Sequence, residues 1–404
     1  MEIRQLSTPQ EQFESERVIE TAFLHPWDED EARKRKESGA GEAGQQAWAV
    51  FDDEGRMTTS VSTLQRRLAF GGEVVTAGEI HMVGTLPEHR GTGGVRALMR
   101  TVLRDFAARG DALAVLIPFS CSFYRKFGFE IAARTLRQRV ATEQLAGFDC
   151  PLRVTQLRDK EDLAAMRALA DTFARERNLA EILPNDAWAW RGNGDFGAPD
   201  WLHPERQRYT YLFWDEDGVL CAYLRFSYFH EPGMPFVGEL EVCDLVYTGP
   251  TALRATLGFL HRMRAKVHHV NFDLPDVDLT TMLPESDKVE QTVDSHVMAR
   301  LLDIPRMLQL MPQPKGSGSY VIGTYESFLP ESTGRYQVCY EDGRATSVTR
   351  CDLAADLQVQ ETTLTQLVVG RIGLDEARYR PGTLVAGNEQ ALAQAFVRRP
   401  VHLT

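Results

Sequence analysis

The sequence predicts a mixed α+β fold in three successive domains, 1–150, 151–290 and 291–404. Three observations predict it. A strand meander followed by a helix and a further strand fills the first third, and the same order returns in the middle third at a fixed offset. A Pro/Gly/Ser stretch, PQPKGSGS (312–319), reads as a linker or long turn and leads into a smaller α+β region. At 404 residues the chain is too long for one ordinary hydrophobic core.

The opening MEIRQLSTPQEQFESERVIE is acid-rich and amphipathic, unlike a secretory signal. In WDEDEARKRKESG (27–39), Glu29/Arg33, Asp30/Lys34 and Glu31/Arg35 stand at i, i+4, the pattern of a solvated helix face. Trp48–Phe51 reads as a strand, Asp52-Asp53-Glu54-Gly55 as a turn and Met57–Leu64 as the returning strand. A second pair turns at Gly71-Gly72, and Pro87 ends its arm because proline cannot donate to a ladder. From Gly93 the period changes. Val95, Leu98, Met99, Val102, Leu103 and Phe106 fall on one helical face, with Gly110 as the stop. LAVLI (113–117) is short and wholly apolar, as a central strand would be. FSCSFYRKFGFEIA then carries a short helix into another strand.

The middle third repeats this order. YLFWDEDGVLCAYLR lies on WAVFDDEGRMTTSVS at an offset of 163, with Trp214 over Phe51 and Gly218 over Gly55. The same offset sets Val246, Thr248 and Pro250 over Val83, Thr85 and Pro87, which indicates an internal duplication. Leu253, Leu257, Leu260 and Met263 give the second helix, and Val267–Leu274 the strand after it. Where the first copy has Arg90 and Gly93, the second has Leu253 and Thr256, so the scaffold is kept and the loop chemistry lost. The last third carries a hairpin about Glu341-Asp342-Gly343, a strand and helix in LAADLQVQETTLTQLVVG, and a final helix in NEQALAQAFVRR.

LPEHRGTGGVRALMR (86–100) sets three glycines between an arginine and a helix. A nucleotide-triphosphate loop would need G-x-x-x-x-G-K-[ST], and no lysine follows. A dinucleotide fingerprint fails because its sixth position from Gly91 is Arg96, and the preceding strand belongs to a meander. What remains is strand, proline and R-x-x-G-x-x-R (Arg90, Gly93, Arg96) at a helix start. There, backbone N–H groups and the helix dipole converge on an anion, which suits a pyrophosphate.

With these residues the sequence resembles the GNAT superfamily of acyl-CoA-dependent N-acetyltransferases. More closely, it resembles the Eis (enhanced intracellular survival) family over nearly its whole length. The resemblance implies a catalytic N-terminal GNAT domain, a degenerate second one and a C-terminal domain like sterol carrier proteins. Val95-Arg96 matches the bulky residue and arginine of Eis loops, whereas Gly91, Thr92 and Gly94 stand where those proteins often carry Arg or Leu. By motif match, acetyl-CoA would be held by Val83, Gly84 and Thr85, by Gly91, Thr92, Gly93, Gly94, Val95 and Arg96, and by Phe119 and Ser120. The first three require the fourth and fifth strands to splay apart and offer backbone groups to the pantetheine and thioester. The resemblance makes Tyr124 the general acid and the C-terminal carboxylate of Thr404 the general base. Phe23, Trp27 and the acids after it would wall an acceptor pocket. It also implies a homohexamer.

Acetyl transfer needs a neutral amine, a polarised carbonyl and a proton for the leaving thiolate, and a phenol of intrinsic pKa about 10 can supply that proton. Cys121 has no histidine near it in sequence to activate it, and direct attack by the amine is expected instead of an acetyl-enzyme. The expected acceptor is a cationic amine, aminoglycoside-like or a lysine side chain. The alternative is a lipid or sterol carrier, or a scaffold, with relic GNAT domains.

Composition sets limits on this reading. Hydrophobic residues at 43% and charged residues at 25% are those of globular proteins, and no apolar run reaches membrane-spanning length. A net charge of −12 argues against nucleic acid and is compatible with a cationic substrate. The six cysteines and ten histidines fall in no zinc spacing, so no metal is expected. The cysteines read as reduced thiols, mostly buried, in a cytoplasmic protein.

Overall fold

The computed structural model describes residues 1–30, 32–33, 44–185, 187–188, 208–231, 234–275, 277–326 and 328–403. The chain divides into two compact units: Met1–Ala132 with His296–Arg399, and Ala133–Ser295 with Pro400–Thr404.

The first unit begins with β1 (Glu2–Gln5) and α1 (Pro9–Phe23). Thr8 caps α1: its side chain accepts from the Glu11 N–H while Glu11 accepts from the Thr8 N–H, and Pro9 occupies the first turn. The Arg4 guanidinium and the backbone N–H groups of Ser7 and Thr8 hold the Glu11 carboxyl down at about 2. Strands β2 (Gln46–Phe51), β3 (Met57–Phe70) and β4 (Glu73–Thr85) form the meander. Asp52 closes the first turn by accepting from the N–H groups of Glu54 and Arg56. After α2 (Gly94–Ala108), β5 (Leu113–Leu116) lies parallel to β4. The predicted face of α2 is buried at Leu98, Met99, Val102, Leu103 and Phe106. Beyond Ala108, the N–H groups of Gly110 and Asp111 satisfy the carbonyls of Ala107 and Phe106. The short helix α3 (Cys121–Arg125) leads into β6 (Glu130–Ala141).

The second unit repeats the plan with β7 (Arg153–Gln156), α4 (Lys160–Arg175), β8 (Arg208–Trp214), β9 (Leu220–Glu231), β10 (Met234–Tyr247), α5 (Pro250–His261) and β11 (Val267–Leu274). The strands run in the order β6-β11-β10-β9-β8-β7, with β10 and β11 parallel. Gly218 has φ 78° where Gly55 has 77°, as the offset requires. The connection after the strand differs sharply. Leu86–Gly93, eight residues, separates β4 from α2, but only Thr248 and Gly249 separate β10 from α5. Leu253 and Thr256 therefore lie buried inside a helix, with nothing of the loop left around them. The chain's tail returns to this unit: the Asn178 N–H donates to the Pro400 carbonyl, and the His402 N–H to that of Asn178.

The rest of the first unit starts within β12 (Glu290–Leu301), whose Met298–Leu301 runs antiparallel to β5 and so extends the first sheet. Helix α6 (Ile304–Leu310) leads to a five-stranded sheet of β13 (Ser317–Tyr325), β14 (Gly334–Glu341), β15 (Arg344–Arg350), β16 (Leu357–Gln360) and β17 (Leu384–Val385) in the order β15-β14-β13-β16-β17. Helices α7 (Glu361–Val369), α8 (Leu374–Ala377) and α9 (Glu389–Ala395) complete it. Asp342 (φ 44°) and Gly343 (φ 88°) make the predicted hairpin turn.

Two expectations need correction. The stretch 312–319 is not all linker, because Ser317–Ser319 pairs with Cys339–Glu341 as the start of β13. The six cysteines are free, but five are half-buried and Cys243 is exposed. Cys243 sits where the β9–β10 register skips a residue, and that bulge turns it outward.

Candidate active site

The site begins with an interruption in the sheet. Ser60 pairs with Gly84 and Ser62 with His81, so Val61 faces two residues of β4, and Met82 takes φ 47°. A bulge bends a strand and re-aims the residues beyond it. The β4–β5 ladder runs only from Ala77–Leu113 to Ile80–Leu116, and among the described residues no strand pairs with His81–Thr85 on that edge. This is the splay that the glycine-loop motif requires.

The loop beyond it is held open by its own backbone. Pro87–His89 forms a helical turn, Thr92 Oγ1 donates to the His89 carbonyl at 2.7 Å, and Gly91 and Gly93 take φ 79° and 89°. A side chain at either glycine would meet open space, so the positive φ, not crowding, calls for glycine there. Gly93 delivers the chain into α2, whose first N–H groups carry no side-chain cap. Arg90 directs its guanidinium donors to the backbone at the cleft's edge. Its Nη2 donates to the Ala22 carbonyl at 2.8 Å and its Nε to the Thr85 carbonyl at 3.5 Å, tying the end of α1 to the end of β4.

These pieces surround a cleft of about 840 Å³, within the range of small-molecule sites. Of the residues singled out in the sequence, Val83, Thr85, Gly91, Gly93, Gly94, Val95, Arg96 and Phe119 line it. Ala22, Phe23 and Leu24 form the opposite lip, and His89, Arg90 and Lys126 join Arg96 as basic groups around it. The remaining predicted residues lie one step back. Gly84 faces α1, where an added Cβ would come within 3.1 Å of Ala22 and Ile19. Thr92 braces the loop, and Ser120 caps α3 by accepting from the Phe123 N–H.

Phe119, Phe123 and Phe127 make the cleft's aromatic wall, and Phe119 remains 69% exposed. Tyr124 stands behind this wall at 3% exposure, edge-on to Phe119 and Phe123 with centroids at 5.6 and 5.2 Å. Burial raises its phenol to about 12, so it stays protonated throughout the physiological range. Thr404, the expected base, lies outside the described residues. Glu31, Lys34 and Arg35 do too, while Glu29 and Arg33 pair at 2.7 Å as their spacing predicted.

Sequence patterning alone missed a polar cluster beside the splay. Gly78 faces Phe106 of α2, so the alternation of β4 turns Glu79 and His81 to the other face. His81 Nε2 stands 3.0 Å from the Glu79 carboxylate, which also takes the Arg66 guanidinium. Burial pushes the Glu79 carboxyl up, but the hydrogen bonds and charges of His81 and Arg66 outweigh it and hold the group below its ordinary value. Cross-strand alternation of Ser62, Leu64 and Arg66 with Glu79 and His81 was the available signal.

Known proteins share the order of these domains. Residues 2–132 and 183–301 each match a model described as an acetyltransferase (GNAT) domain, and residues 304–404 match one described as a sterol carrier protein domain. A Streptomyces avermitilis protein described as an uncharacterized N-acetyltransferase is 25% identical over 343 residues, 80% of each chain. One from Streptomyces griseus is 24% identical over 382 residues, covering 90% of this chain and 88% of its own. Among solved structures, Eis1 from Mycobacterium abscessus superposes with a TM-score of 0.80 at 20% identity over 100% of both chains. A GCN5-related N-acetyltransferase from Anabaena variabilis gives 0.81 at 18% identity, covering 99% of this chain and 98% of that one.

Proposed function

Since the chain belongs to the GNAT N-acetyltransferases, with the Eis-like order of two GNAT domains and a sterol carrier protein domain, we propose that it moves acetyl from acetyl-CoA to the amine of a cationic acceptor by direct attack. The acceptor is an aminoglycoside-like polyamine or a lysine side chain. The observation that carries this reading is the first domain's cleft, which joins an unpaired strand end, a glycine loop at a helix start and an aromatic wall. The second copy has only two residues between β10 and α5, too few to build such a loop, so the chemistry belongs to the first copy.

Each part has a role in the transfer. The N–H groups of Gly93 and Gly94, with Arg96, receive the pyrophosphate, and Val83 and Thr85 offer backbone groups to the pantetheine and the thioester carbonyl. The amine nitrogen attacks that carbonyl, and the C–S bond breaks as the amide forms. The thiolate takes the Tyr124 phenolic proton, and the amine's proton passes to the Thr404 carboxylate. A protein of net charge −12 favours the approach of a polyamine. The family resemblance adds a homohexameric assembly and a cytoplasmic setting, and sedimentation velocity tests the first.

The direct experiment measures thiol release from acetyl-CoA with a panel of amines. Turnover with polyamines supports the reading. No release with any amine, together with lipid co-purifying in native mass spectrometry, would favour the lipid-carrier alternative.

A further inference from the structure

Among the described residues of the first unit, two groups of buried charges outside the cleft reach toward it. The first centres on Arg300, at 1% exposure one of the most deeply buried charged side chains. Its Nη1 donates to the Phe127 carbonyl at 2.6 Å, and its guanidinium pairs with the Glu326 carboxylate at 3.3 Å. The backbone has been cleared for this contact. A Cβ on Gly128 would stand 1.7 Å from Arg300 Nη1 and 2.9 Å from a Glu361 carboxylate oxygen, so that carboxylate belongs to the same cluster. Glu326 also accepts from the N–H groups of Phe328, at 2.6 Å, and Leu329.

The loop so fixed presents Phe328. Its ring is edge-on to Phe127 at 5.2 Å, and the guanidinium groups of Arg100 and Arg96 lie over it at 4.8 and 5.2 Å. Arg104 continues the same helix face to Glu331 at 2.7 Å. One aromatic ring thereby touches both walls of the cleft, Phe127 on one side and the phosphate-loop helix on the other. The second group flanks the Tyr124 helix. Glu130, its side chain 2% exposed, accepts from Arg125 at 2.7 Å, and Arg380 reaches it from the last third of the chain at 2.5 Å.

Apolar side chains of similar volume would pack these positions at no greater cost, because removing charges from water offsets much of what their pairing contributes. What charged groups add is direction. Here they point at the Phe127 carbonyl, at the N–H groups of the Phe328 loop and at the last residue of α3.

We propose that segment 296–399 positions the acyl-CoA cleft of the first domain. The Arg300–Glu326–Glu361 cluster and Phe328 set the CoA walls and Arg96, and Arg380 sets the Tyr124 helix through Glu130 and Arg125. All are positioning residues, and the inference rests on the acetyl-CoA reading above.

The test uses the full chain with Phe328→Leu, Arg380→Gln and the conservative Arg380→Lys, each checked for folding by circular dichroism. Calorimetry reads CoA binding, and steady-state kinetics reads KM for each substrate and kcat. Phe328→Leu is expected to raise the CoA Kd and the acetyl-CoA KM together by about fivefold to tenfold, with the amine KM unmoved. Arg380→Gln is expected to leave the CoA Kd within about twofold and lower kcat by about tenfold, with Arg380→Lys restoring most of it. The proposal is overturned if folded Phe328→Leu binds CoA as wild type does, if Arg380→Gln keeps its kcat, or if kinetic losses only track the fraction folded. Wild-type protein that binds no CoA at all would sink the underlying acetyl-CoA reading instead.

Discussion

At the residue scale, Tyr124 carries the clearest prediction. Its ring is packed by aromatic neighbours, so Tyr124→Phe removes a proton and leaves the packing in place. We expect kcat to fall by about 10²- to 10⁴-fold with CoA affinity unchanged, read by single-turnover kinetics and calorimetry. Because burial raises the phenol to about 12, its ionisation is not expected to cause a loss of activity near pH 9. A basic limb near pH 9 that disappeared in Tyr124→Phe would contradict this. Gly93 is a second test. With φ 89° and free space at its Cβ, Gly93→Ala should destabilise by about 1 kcal/mol through backbone strain alone, while raising the acetyl-CoA KM as the loop N–H groups turn away. The motif spacing displayed Gly93, whereas Tyr124 was marked out only by the family resemblance. Arg300 was not singled out: it stands as a lone charge within the apolar run VMARLL, and nothing in the run says that it reaches the Phe127 carbonyl.

At the scale of elements, the contact between β4 and α2 depends on a missing side chain. A Cβ at Gly78 would come within 2.0 Å of the Phe106 ring, so Gly78→Ala should cost about 1–3 kcal/mol in denaturant unfolding by forcing the helix off the sheet. Helix α7 begins with Glu361, which is pushed up to about 7 by burial first and by the neighbouring Glu326 carboxylate second. A carboxyl raised on folding makes the folded state bind more protons than the unfolded one. Stability from this group is therefore full below its unfolded value and lost as pH rises through about 7. Wild type should lose more thermal stability than Glu361→Gln between pH 5 and pH 8, and parallel melting curves across that range would refute it. The periodicity of α2 and the turn residues of the hairpins announced these elements. The bulge at Met82 was not legible, because a one-residue slip in a ladder leaves no compositional mark.

At the scale of the whole molecule, the first domain's sheet is extended by Met298–Leu301 and its cleft is backed by Phe328. A fragment ending at residue 150 should therefore lack a cooperative melting transition, whereas the full chain melts cooperatively by differential scanning calorimetry. If the Thr404 carboxylate accepts the amine's proton, one residue added after it should lower kcat without changing CoA affinity. Equal turnover by the extended chain would remove that role. The meander, helix and strand of the first third, their repetition, the glycine loop and its loss from the second copy were legible along the chain, since they depend on period, spacing and residue type; helices α4 and α6 and strands β12 and β13 were not. That residues 296–399 join Met1–Ala132 in one compact unit came only from tertiary packing. So did the burial of Tyr124, and the grip of Arg300 on the Phe127 carbonyl and of Arg380 on Glu130 in the stretch that follows it. Arg300 lies 173 residues from Phe127 and Arg380 lies 250 from Glu130, and pairing at that distance is set by three-dimensional packing and the need to satisfy buried charge, for which no local pattern exists.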